Sequence, residues 1–202
     1  SAVYAPTLTA RSIYGCNSAP ASEPLNVGSI PVVDFTFEGV STADLISFES
    51  ESVLNSAGAV NDNFATLNWT YGNGNSQSVT SNFANAVTNN YATAGIYTVT
   101  LRATSVIGCT EDIDKTIIVV PRVTPTEAAA YNQGFESTDG GWQTSSLDGS
   151  ASTWAAGAPS KATIVLTEKT GNGIWTTNLT GTYSPLERSA LYSPSFDLSE
   201  LD

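Results

Sequence analysis

The sequence predicts an all-β protein, a β-sandwich in tandem with part of a second one, and three observations carry that expectation. Ser and Thr number 25 and 26 of 202 residues, while charged residues make up only 13%, against about 25% in an ordinary soluble domain. Thr is β-branched, and Ser favours turns over helix interiors. One segment recurs 93 residues downstream with the alternation of a half-buried strand. Short apolar runs separated by turn residues fill most of the remaining chain, with no sustained helical period.

The recurrence is read from Tyr4-Ala-Pro-Thr-Leu-Thr-Ala-Arg-Ser-Ile-Tyr-Gly-Cys16, which lies on Tyr97-Thr-Val-Thr-Leu-Arg-Ala-Thr-Ser-Val-Ile-Gly-Cys109 without a gap. Seven of the thirteen positions are identical, among them Leu8/Leu101, Ser12/Ser105, Gly15/Gly108 and Cys16/Cys109. In the later copy Tyr97, Val99, Leu101 and Ala103 alternate with polar residues, so one face points inward. The earlier copy keeps that phase, with Tyr4, Leu8 and Ala10 expected inward and Pro6 at a tolerant edge. Residues 1–28 are therefore expected to be the C-terminal strands of a preceding repeat, and 29–121 a complete one. The absence of Met and of a leader at Ser1 agrees with a piece of a longer chain. Cys16 and Cys109 then occupy equivalent places a domain apart. They are not expected to bridge, because a disulfide needs Cα atoms within about 7 Å.

Within 29–121 the strands expected are Val32–Phe37, Leu45–Phe48, Thr66–Tyr71, Gln77–Phe83, Ala86–Tyr91, Ile96–Ser105 and Ile113–Val120. Gly72-Asn73-Gly74 carries the Asn-Gly pair of a tight hairpin. Glu51 to Asn63, a polar insertion containing Ser, Gly and Asn, is expected to be a long loop. Residues 122–130, which follow Pro121 and contain Pro125, are expected to be a semi-rigid linker, since proline cannot donate to a sheet.

Two of these segments carry a family resemblance. Trp69-Thr-Tyr-Gly-Asn-Gly74 resembles the W-x-F-G-D-G segment of polycystic-kidney-disease (PKD) domains, with Asn73 where the family usually has Asp. Tyr91-Ala-Thr-Ala-Gly-Ile-Tyr-Thr-Val-Thr-Leu101 matches their Y-x-x-x-G-x-Y-x-V-x-L segment at every named position. The resemblance implies an immunoglobulin-like sandwich used as a spacer or interaction module, with Trp69 as a core anchor. From Tyr131 the style changes: Trp142, Trp154 and Trp175 stand in Gly-rich surroundings, and Leu191-Tyr-Ser-Pro-Ser-Phe-Asp-Leu-Ser199 closes the run. Residues 131–202 resemble the N-terminal half of a MAM-like jelly-roll domain. The combination is similar to segments of giant gliding-motility surface adhesins of the Bacteroidota (SprB type), exported by type IX secretion. That resemblance implies a non-enzymatic segment at the cell surface. The partners it implies are a surface polysaccharide or other extracellular ligand, and secretion or motility proteins. The alternative is a set of accessory modules in a secreted protease or glycoside hydrolase.

Composition excludes several chemistries. With no His there is no imidazole base and no His-ligated metal. A net charge of −12 with seven scattered basic residues excludes nucleic acid as a partner, and no stretch reaches the roughly 18 apolar residues of a membrane span. The acidic cluster Glu111, Asp112 and Asp114 reads either as an oxygen-ligand calcium site or as a solvated strand edge. Asp139-Gly-Gly and Asp148-Gly-Ser read as calcium loops or plain turns. Glu38, Asp44, Glu49 and Glu51 are the acids available for a glycosidase pair, which needs two carboxyls about 5–10 Å apart. Trp142, Trp154 and Trp175 serve either as core or as a platform for stacking sugars. Asn68-Trp-Thr70 and Asn178-Leu-Thr180 match glycosylation sequons, both read as incidental. No catalytic, cofactor-binding or metal residue is assigned, and no cofactor beyond a structural calcium is considered.

Overall fold

The computed structural model describes residues 2–55, 63–160 and 171–201. Among them every regular element is a strand, so the chain is all-β. It divides into two compact units. One gathers Ser1–Phe37, Ser47–Val87 and Thr98–Lys115; the other gathers Glu38–Ile46, Thr88–Tyr97 and Thr116–Asp202.

The first unit opens with a long hairpin. Strand β1 (Ala2–Tyr4) pairs antiparallel with β4 (Leu25–Val27), and β2 (Thr7–Leu8) with β3 (Ala21–Ser22). Then follow β5 (Pro31–Val32), β6 (Phe35–Glu38), β7 (Leu45–Ser50), β8 (Val53–Leu54), β9 (Phe64–Thr70), β10 (Ser76–Val79), β11 (Val87–Asn90), β12 (Gly95–Ser105) and β13 (Thr110–Val119). They form a four-stranded sheet in the order β10-β9-β12-β13 and a three-stranded sheet β11-β7-β6. The expected loop from Glu51 contains β8, which pairs with β5; its residues 56–62 lie outside the described ones.

Alternation explains how the sheets meet. Val99, Leu101, Ala103 and Ser105 of β12 are buried while Ile96, Thr98 and Arg102 are exposed, the period of two expected from the sequence. Leu101 lies opposite Trp69 across the β12–β9 ladder. The buried Trp69 ring meets Phe35 edge-on at 5.1 Å and Phe48 at 5.9 Å, and Phe48 meets Tyr71 at 5.2 Å. Phe35 and Phe48 come from the three-stranded sheet, so the aromatic cluster joins two facing sheets: a β-sandwich. Lys115 closes it from β13, pairing with Asp34 at 2.6 Å and donating to the Phe35 carbonyl.

The repeat reappears as geometry. Ser12 N–H donates to Cys16 O at 2.8 Å, Gly15 N–H to Ser12 O at 2.9 Å, and Cys16 N–H to Ser12 Oγ at 3.1 Å. Ninety-three residues on, the bonds Ser105 to Cys109 O, Gly108 to Ser105 O and Cys109 to Ser105 Oγ measure 2.8, 2.9 and 3.3 Å. Gly15 and Gly108 take φ of 85° and 93° in that turn, a region open to glycine. Burial differs sharply between the copies. Leu101 is 0% exposed and Leu8 73%; Tyr4 and Ala10, expected inward, are exposed too. Both cysteines are free, Cys16 exposed and Cys109 half-buried.

The second unit holds a different arrangement. Val120 lies in a parallel bridge with Ser41, Val120 N–H donating to Val40 O at 2.8 Å. Beyond it come β14 (Arg122–Val123), β15 (Gln143–Ser146), β16 (Trp154–Gly157), β17 (Ile174–Thr177), β18 (Ser189–Tyr192) and β19 (Ser195–Phe196). They pair as three ribbons: β14 with β19 in parallel, β15 with β18 and β16 with β17 antiparallel. The segment expected to be a linker thus begins with a strand. The prolines do not forbid it, because Pro121 enters the ladder through its carbonyl: Ser195 N–H donates to Pro121 O and Asp197 N–H to Val123 O, both at 2.9 Å.

Arg122 holds that strand by charge, 3.2 Å from Asp44 and 3.3 Å from Asp197. The Asp44 carboxyl is held below the usual 3.8, first by the backbone N–H of Val40 and also by Ser41 and Arg122. Asp197 is lowered chiefly by the Ser199 hydroxyl, with help from Arg122, and Asp34 chiefly by its hydrogen bond from Lys115. A carboxyl with a depressed folded value contributes stability above its unfolded value and loses it as pH falls through the folded one. The thermal midpoint is therefore expected to decline once pH drops below about 3.8. A midpoint unchanged down to about pH 2 in a thermal titration would contradict this linkage.

Candidate functional site

The acidic candidates of the sequence do not converge. On the exposed face of β12 and β13, Asp112 pairs with Arg102 at 3.3 Å, and Asp114 accepts from the Thr100 hydroxyl at 2.5 Å. These are cross-strand pairs that support register. Among the described residues no three metal-ligating side chains come together. In the two Asp-Gly segments the carboxylates close turns: Gly141 N–H donates to Asp139 Oδ1 at 2.9 Å and Ser150 N–H to Asp148 Oδ1 at 3.0 Å. Glu38, Glu49 and Glu51 are exposed, which leaves none of them the desolvation a general acid needs. Asp44 accepts from Val40, Ser41 and Arg122. The sequon residues have local partners as well, Asn68 donating to Thr66 Oγ1 and Asn178 to Thr182 O.

The three tryptophans of the second unit are all half-buried. Trp142 donates its indole N–H to the Tyr131 hydroxyl at 3.1 Å and meets Phe135 edge-on at 6.0 Å. Trp175 donates to the Asp139 carbonyl at 3.1 Å. Both are tied into the turn that carries Asp139. Trp154 is different: its ring lines an open pocket of about 280 Å³.

That pocket stands where β16, β17 and β18 start or end. Trp154 lies opposite Thr177 in the β16–β17 ladder, and both line it. Glu187, another lining residue, joins the two hairpins: it accepts from Thr153 N–H at 2.8 Å, from the Thr153 hydroxyl at 2.5 Å and from the Ser189 hydroxyl at 2.6 Å. These bonds, Ser189's first, hold its carboxyl below the usual range, so it stays charged. The rim is the turn Ser184-Pro185-Leu186-Glu187, closed by Glu187 N–H on Ser184 O at 3.3 Å. Pro185 suits the second place of such a turn, but Leu186 takes φ of +61° at the third, where Gly or Asn is usual. Leu186 is also 93% exposed, and Tyr183 beside it 71%. A left-handed non-glycine residue costs on the order of 1–3 kcal/mol, and no internal packing offsets it here.

Of this set the sequence singled out only Trp154. Tyr183, Leu186 and Glu187 were missed, because a leucine in a glycine conformation leaves no trace in the residue order. The Ser-Pro pair marks only that a turn is present.

No protein-family model matches the chain, and no curated protein does. Among solved structures it is similar to the PKD1 domain of Vibrio anguillarum Epp, at 25% identity over 46% of this chain and 96% of that one, with a TM-score of 0.38. It is also similar to the PKD1 domain of the Vibrio cholerae metalloprotease PrtV, at 26% identity over 45% and 96%, TM-score 0.37. A third is a carbohydrate-binding module of the β-sandwich superfamily, described as promiscuous in specificity: 24% identity, 74% of this chain and 54% of that one, TM-score 0.43.

Proposed function

We propose that this chain is a non-enzymatic segment of a long secreted surface protein, in which tandem β-sandwiches act as spacers and carry adhesive modules outward. Gliding motility and type IX export are the setting that the adhesin resemblance implies, with an extracellular polysaccharide as the class of partner. The observation that supports this reading is the closing turn repeated at an interval of 93 residues with the same three hydrogen bonds. In the later copy its strand buries Leu101, and in the earlier copy Leu8 stands open. We read the opening hairpin as the last two strands of another sandwich, whose covering sheet is supplied by further chain. The formal charge of −12 keeps such an array soluble and self-repelling.

Whole cells of the source organism, probed with antibodies against this chain before and after external protease, test the proposal. The expected product is cell-bound, far heavier than 21.1 kDa and destroyed by the protease. Its peptides should show further Ser-x-x-Gly-Cys turns at 93-residue intervals. A product released into the medium and carrying a hydrolase domain would overturn it in favour of an accessory role.

A further inference from the structure

We infer that the pocket beside Trp154 is a subsite for one neutral sugar ring. The inference deepens the adhesion reading by naming a ligand class and a place for it. Its volume of about 280 Å³ falls just under the usual range of ligand pockets, roughly 300–1,000 Å³, which suits a single ring better than an extended chain.

The chemistry of the walls selects the class. Trp154 contributes an aromatic surface that stays half-exposed, and Tyr183 and Leu186 stand almost free at the rim. Apolar surface of this kind matches the C–H face of a pyranose. Ser184 also lines the pocket, and its hydroxyl can both donate and accept, as a polyol requires. Glu187 adds a fixed negative charge at the wall, its carboxylate held by Thr153, Ser189 and the Ser184 backbone, so it repels an anion. Among the described residues no Lys or Arg lines the pocket. An acidic sugar or a phosphate would thus meet repulsion from Glu187.

Strain supplies the independent observation. Leu186 is held left-handed at φ +61° and fully presented to solvent, a conformation and an exposure that folding alone disfavours twice. Both costs make sense if the side chain is aimed at a ligand. Glycine at this place would relax the turn and remove the contact together.

The test uses the full chain and follows the indole N–H resonances of its tryptophans by NMR. Methyl glycosides of glucose, galactose, mannose and N-acetylglucosamine are the probes, with methyl glucuronide and choline as charged comparators. At least one neutral glycoside is expected to shift the Trp154 signal saturably at millimolar concentration, the Trp142 and Trp175 signals moving less. Tyr183→Ala and Leu186→Gly, both at exposed positions that leave the fold intact, should each weaken binding roughly 3- to 10-fold. Leu186→Gly should at the same time raise the thermal midpoint. Choline binding with the neutral glycosides silent would overturn the inference in favour of a cation site. Silence of all probes, or binding untouched by both variants, would overturn it outright, and neither result would bear on the surface spacer itself.

Discussion

Trp69→Ala is expected to lower stability by about 3–5 kcal/mol, the range for emptying a large aromatic from a packed core. For a domain near 100 residues that corresponds to a midpoint lower by at least about 12 °C. The size follows from what the indole touches. Phe35 and Phe48 reach it from the opposite sheet, and Leu101 flanks it in the ladder. Removing it leaves a hole bordered by both layers, which rigid sheets fill poorly. Trp69→Phe keeps a ring there and should cost much less. Urea unfolding followed by far-ultraviolet circular dichroism checks both; equal losses for the two variants would contradict a packing role.

Gly72→Ala should cost at least twice as much as Gly74→Ala, although the two glycines share one loop and both have positive φ, 73° and 92°. Each substitution meets the left-handed penalty of about 1–2 kcal/mol. Only Gly72 adds a collision: a Cβ there would stand 2.6 Å from the Thr98 carbonyl oxygen, whereas at Gly74 nothing lies within 4 Å. The obstacle is backbone in a central strand, so it cannot swing aside. The loop is also not the two-residue hairpin expected from Asn-Gly. Asn73 does not adopt positive φ; its side chain accepts from Asn75 N–H at 3.1 Å, while Tyr71 N–H bonds to Asn75 O. Indistinguishable denaturation midpoints for the two variants would show that Thr98 does not press on Gly72.

The legible parts of this chain were those governed by period and repetition. Alternation placed Val99, Leu101 and Ala103 inward, and the thirteen-residue repeat marked the two segments that end in equivalent turns. The illegible parts depend on partners distant in sequence. Nothing near Pro121 announces that its carbonyl serves a ladder with Ser195. Asp112 and Asp114 stayed open between calcium ligands and a solvated strand edge because their cross-strand neighbours Arg102 and Thr100 lie ten and fourteen residues away. Tyr4 and Leu8 show the limit of period itself, which says which face is apolar and not whether a second layer covers it. The pocket is the extreme case, since only Trp154 was visible and the conformation of Leu186 was not.

The direction of pairing also determines how the two ends of this chain answer tension. In the opening hairpin, β1 and β4 run antiparallel, so the entry to β1 and the exit from β4 lie on one side, and a pull on both peels the rungs one after another, each bearing the load alone. Strands β14 and β19 run parallel, and traction entering before Pro121 and leaving after Asp197 slides one along the other. The bonds of that ladder, with the Arg122–Asp197 pair beside them, must then yield together. One ribbon is a zipper and the other a clamp, and under the same pull the zipper would give way first.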